Sequence, residues 1–75
     1  MTSSKRIHDA ATSLGYTIIT ETHINGTSIV ARDEEDRVRI YASYVDRRFD
    51  FGFTVDTMGH NTHHDTVTDL IAYAG

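Results

Sequence analysis

Ile7, Ala10, Ala11 and Leu14 recur at i, i+3, i+4 and i+7, the spacing of one apolar helix face, while His8, Asp9, Thr12 and Ser13 lie off it. The pattern predicts a helix over residues 3–14, with Thr2, Ser3 and Ser4 offering N-cap oxygens and Gly15 ending it in the left-handed region. From Tyr16 the period changes to two and the residues become β-branched and aromatic. Breaks at Asn25-Gly26, at Asp33-Glu34-Glu35-Asp36 and at Asp46-Arg47 divide this stretch into four predicted strands. Val67, Leu70, Ile71 and Ala74 then restore the helical spacing, and Thr62 with Asp65 resembles a capping box, which predicts a second helix over residues 63–74.

Turn lengths convert these strands into a register. A two-residue turn at Asp46-Arg47 sets Tyr44 opposite Phe49, Ala42 opposite Phe51, Ile40 opposite Phe53 and Val38 opposite Val55, all apolar pairs. The other two turns set Ala31 against Val38, Ile29 against Ile40, Thr22 against Ile29 and Thr20 against Ala31. One buried face results, running from Ile18 and Ile24 to Phe49, Phe51, Phe53 and Val55. The expected fold is a single α+β domain over residues 1–75, a two-layer sandwich of order αββββα. Its four-stranded antiparallel meander carries both helices on one face.

The opposite face is then left to solvent. Its expected rows are Ile19, Arg32, Arg37 and Asp56; Glu21, Val30, Arg39 and Thr54; and His23, Ser28, Tyr41 and Gly52. Arginine and tyrosine are enriched in binding hot spots, and Val30 and Ile19 add apolar area that solvent does not require. Candidate partner-binding residues are therefore His23, Val30, Arg32, Arg37, Arg39 and Tyr41, joined by the acidic turn residues Glu34, Glu35 and Asp36.

Composition narrows what such a face does. Seventy-five residues, 39% hydrophobic and 24% charged, fit one small folded domain without room for a second core. The formal charge of -4 opposes unaided binding to phosphate backbones. The absence of cysteine excludes a disulfide framework, and no apolar signal-peptide core follows Met1, so a cytoplasmic location is expected. Asn25-Gly26-Thr27 matches a glycosylation acceptor but reads as a hairpin turn.

Catalytic chemistry finds little to build on. The chain has no cysteine nucleophile, no Gly-x-Ser-x-Gly, no phosphate-cradling glycine loop and no paired carboxylates on an identifiable wall. His60, His63 and Asp65 are the one local group of metal-type ligands, and adjacent histidines on a helix point apart, so neither metal nor cofactor is expected. The helix-strands-helix order superficially resembles a double-stranded-RNA-binding domain. That family has three strands and a lysine-rich second-helix start, where this chain has His63-His64-Asp65. In size, acidity and lack of cysteine or catalytic residues the chain is similar to phage-encoded inhibitors such as anti-CRISPR proteins, a similarity of composition that covers no residue motif.

The expected function is a non-catalytic binding module acting through a protein partner, as a phage or mobile-element inhibitor of a host defence system. Its acidic residues would meet a basic surface on that partner. The rival expectation is a nucleic-acid-binding domain using the arginines, Tyr41 and His23. A free edge strand at residues 48–56 further predicts a homodimer.

Overall fold

The computed structural model describes residues 3–74. Helix α1 spans Ser3–Ser13 and ends as its sequence predicts. Gly15 takes φ 82°, its N–H bonds Thr12 O at 3.0 Å, and the Tyr16 N–H reaches back to Ala11 O at 3.0 Å. This closure uses a left-handed residue to satisfy the helix's last carbonyls. Thr2, one of the expected N-cap residues, lies outside the described residues.

Five strands follow: β1 (Thr17–His23), β2 (Gly26–Arg32), β3 (Val38–Val45), β4 (Arg48–Val55) and β5 (Asn61–His64), before helix α2 (Val67–Tyr73). They form one antiparallel sheet in the order β1-β2-β3-β4-β5. The α+β class and the meander are as expected, whereas the strand number is corrected from four to five. Residues 61–64, read as loop and helix start, pair with β4 instead. Helix α2 accordingly begins later, at Val67. Its N-cap is Thr66, whose Oγ1 accepts from Asp69 N at 3.1 Å, rather than Thr62.

Ile7 and Ala11 of α1, Val67 and Leu70 of α2, and Ile29, Ala31, Ile40, Ala42 and Tyr44 of the sheet make one buried cluster, so both helices cover the same sheet face. Partners along β1–β2 and β2–β3 differ by two residues from those expected: Thr20 faces Ile29, Ile18 faces Ala31, Ala31 faces Ile40 and Ile29 faces Ala42. A slip of two preserves which face each side chain occupies. The first hairpin turns at Ile24 and Asn25, with His23 facing Gly26, and Ile24 is fully exposed instead of buried.

The consequential correction lies in β4. Asp46 and Arg47 adopt φ of 51° and 67°, the left-handed pair of a two-residue hairpin, and Tyr44 faces Phe49 as expected. Ser43 then faces Phe51, so β4 carries one extra residue, Asp50, opposite the step from Ser43 to Tyr44. Beyond this β-bulge every side chain changes face. Gly52 and Thr54 point to the helices, and Phe51 and Phe53 point away from them. Gly52 is buried beneath Leu70: a Cβ there would stand 3.2 Å from Leu70 Cδ1 and 2.6 Å from Tyr41 O. Only the bare backbone admits both the helix and the neighbouring strand. Phe49 alone of the three phenylalanines packs on the core, edge-on to Tyr44 at 5.6 Å.

Candidate functional site

The bulge assembles the uncovered face. Cross-strand partners place Ile19, Val30, Tyr41, Phe53 and His63 in a single row, one residue from each of the five strands. At about 4.8 Å per strand the row crosses the sheet over about 19 Å. Its side chains pack on one another: the Tyr41 and Phe53 rings stack at 5.0 Å and 17°, Phe51 lies 5.9 Å from Tyr41, and His63 stacks on Phe51 at 5.7 Å and 14°. Tyr41, Phe51, Phe53 and Val30 are half-buried by these mutual contacts, while Ile19 is 46% exposed. Offset stacking of this kind satisfies the ring quadrupoles.

A polar edge borders the row. Ser28 Oγ lies 3.1 Å from His23 Nε2 and 3.3 Å from Tyr41 Oη, so one buried hydroxyl links the exposed histidine to the central tyrosine. Glu21, opposite Ser28, is exposed beside them. This edge offers hydrogen-bond donors and acceptors at fixed positions next to an uncovered aromatic surface, the composition of a recognition face.

Of the expected arginines, Arg32 shares the open face, two residues along β2 from Val30 and opposite Thr17, but is drawn to the far turn, while Arg37 and Arg39 lie off the face. Arg32 Nη1 donates to Asp36 O at 3.3 Å and stands 3.8 Å from its carboxylate. Arg37 pairs with Asp33 at 3.6 Å and with Glu35, not with Asp56. Arg39 occupies the extra position of β3 between the pairs Arg32–Val38 and Ala31–Ile40. It turns over the Tyr16 ring at 5.5 Å, donates from Nε to Val55 O at 2.7 Å and meets Asp33 at 3.5 Å. Of the acidic turn, Asp36 and Glu35 are thus engaged with arginines, and Glu34 is exposed. Asp33 organises the turn, its Oδ1 accepting from Glu35 N at 2.9 Å and Arg37 N at 3.0 Å. The backbone N–H of Arg37 is the chief cause holding its carboxyl below the ordinary 3.8.

The histidine group is dispersed rather than convergent. His60 leans on Asp56 at 3.6 Å, His63 lies on the open face 3.5 Å from Asp65, and His64, its neighbour along β5, points inward. His64 is 4% exposed, shares a 2.9 Å hydrogen bond with Thr54 Oγ1 and rests 4.8 Å from the Tyr73 ring. Among the described residues no three metal-type ligands come together, and no helix is long and apolar enough to cross a membrane.

Tyr41, Val30 and His23 thus lie on the open face as placed from the sequence, but in other rows: Val30 and Ile19 join Tyr41, and His23 reaches it through Ser28. Phe51, Phe53 and His63 are the members that the sequence reading missed. One signal for the phenylalanines was present: a lone glycine inside a strand pattern marks a bulge or a close backbone approach. Comparison with protein-family models, with curated proteins and with solved structures finds no match for the chain.

Proposed function

We propose that the chain is a small non-catalytic binding module that docks the open face of its sheet onto an apolar patch of a partner protein. The observation that carries this reading is the row Ile19–Val30–Tyr41–Phe53–His63, an aromatic-centred surface that the helices leave uncovered. Large apolar surface facing solvent opposes solubility and finds its use in an interface. Tyrosine and phenylalanine at the centre, with His23, Ser28 and Glu21 at the edge, reproduce the dry core and polar rim of a protein interface. The compositional similarity to phage-encoded inhibitors suggests a component of a host defence system, met in the cytoplasm, as that partner.

Stacked rings also serve single-stranded nucleic acids, but such sites need cations along the backbone track. Here Arg32, Arg37 and Arg39 are held by Asp33, Glu35 and Asp36 at the far turn, and the net charge is -4. These facts favour the protein partner.

The test is quantitative capture from a host lysate with three forms of the chain: unmodified, Tyr41→Ala with Phe53→Ala, and Glu34→Lys with Glu35→Lys. The reading expects one enriched protein that the ring variant loses and the turn variant keeps. Retention by the ring variant with loss by the turn variant transfers binding to the acidic turn, and nuclease-sensitive capture transfers it to nucleic acid.

A further inference from the structure

The sheet has two edges, and they differ in protection. β5 is four residues long and lies beside α2, both of which blunt an edge. β4, expected to be free, is covered by β5, so the basis for a homodimer through residues 48–56 is gone. β1 is seven residues long, pairs with β2 at every position without a bulge, and is exposed at all of them except Ile18. It contains no proline, glycine or lysine to deter another strand.

The two-residue turn fixes which of its backbone groups are free. His23 facing Gly26 begins the alternation, so Thr17, Ile19, Glu21 and His23 exchange hydrogen bonds with β2. Ile18, Thr20 and Thr22 direct their N–H and C=O groups away from the sheet. A row of donors and acceptors at strand spacing is matched by another extended backbone.

We propose that this backbone is β1 of a second copy, paired antiparallel about a twofold axis at Thr20. The two five-stranded sheets become one sheet of about ten strands. Around that axis Thr20 faces its own copy, Ile18 faces Thr22, Ile19 faces Glu21 and Thr17 faces His23. All seven residues are used, about six backbone hydrogen bonds form, and no like charges oppose. An axis at Glu21 would set two carboxylates face to face, and one at Ile18 or Thr22 would shorten the pairing. The sequence of β1 thus selects its own register. On the open face the two Ile19 side chains become diagonal neighbours across the joint, which makes the aromatic rows of the two copies continuous. The pairing uses the strand edge alone and stands apart from what docks on the face.

Sedimentation equilibrium of the whole chain, from micromolar to millimolar concentration, tests the pairing with Thr20→Pro and Thr20→Lys. The Thr20 N–H points away from β2, so proline there removes no hydrogen bond of the monomer's sheet. Lysine keeps every backbone group and places two charges on the axis, which makes it decisive even if the proline variant fails to fold. The unmodified chain is expected to dimerise reversibly, and Thr20→Lys, with native circular dichroism, to weaken the dimer at least tenfold. A wild-type monomer throughout the range overturns the proposal and leaves the edge to a strand of another protein. A dimer that Thr20→Lys leaves intact overturns it as well.

Discussion

Two aspartates hold turns by the same means. Asp33 Oδ1 gathers the N–H groups of Glu35 and Arg37, and Asp56 Oδ1 gathers those of Met58 and His60, each at 2.9–3.0 Å. Backbone donors aimed at an ionised carboxylate favour the anion, and the Asp56 carboxyl, with the His60 N–H as chief cause, is also held below 3.8. Because both values are depressed in the folded state, the unfolded chain takes up protons first as the solution is acidified. The stability these groups contribute is complete above the unfolded value and is lost as pH falls through the folded one. Urea unfolding is expected to show a loss of stability from around pH 3.8 downward, and Asp33→Asn with Asp56→Asn to show a flatter acid limb. An unchanged acid limb in that double variant would contradict the assignment.

At the scale of elements, β5 is the piece that sequence reading mistook. Thr62 and Asp65 imitate a cap, but the spacing Thr66-Val67-Thr68-Asp69 offers the same chemistry four residues later, where the apolar face of α2 begins. Helix α1 and the inward set Ile29, Ala31, Ile40, Ala42 and Tyr44 were legible because period and side-chain type agreed there, and a register error of two leaves faces unchanged. The run Phe49-Asp50-Phe51-Gly52-Phe53 was misleading because its alternation is regular while its backbone is not. Space for Leu70 decides the matter, since only Gly52 can lie under it. That constraint is tertiary, and a strand's own pattern does not contain it. The inward hydrogen bond between Thr54 and His64 ties β4 to β5. Thr54→Val would leave a buried ring nitrogen unsatisfied, with an expected cost of about 1–3 kcal/mol in chemical denaturation. Adding His64→Leu should recover part of the loss, since replacing both partners removes the unsatisfied group; a double variant worse than the sum of its parts would contradict this.

For the whole molecule, the bulge divides the apolar residues between a core and a display surface. Leu70 is 1% exposed, and Leu70→Ala is expected to cost about 2–5 kcal/mol, enough to unfold much of a 75-residue domain. Phe53 is held chiefly by its stack on Tyr41, so Phe53→Ala should cost about 1–2 kcal/mol, below the 3–5 kcal/mol or so typical of a core phenylalanine. The shift in the urea midpoint of each variant checks the expected cost. That Tyr41, Phe51 and Phe53 face solvent, with the core on the other side of the sheet, is open to NMR of the free protein with a soluble paramagnetic chelate. Ring protons of Tyr41 and Phe53 are expected to broaden strongly, while the methyl groups of Ile29, Ile40 and Leu70 stay sharp. Rings as protected as the Leu70 methyls would place the phenylalanines in the core and contradict the account.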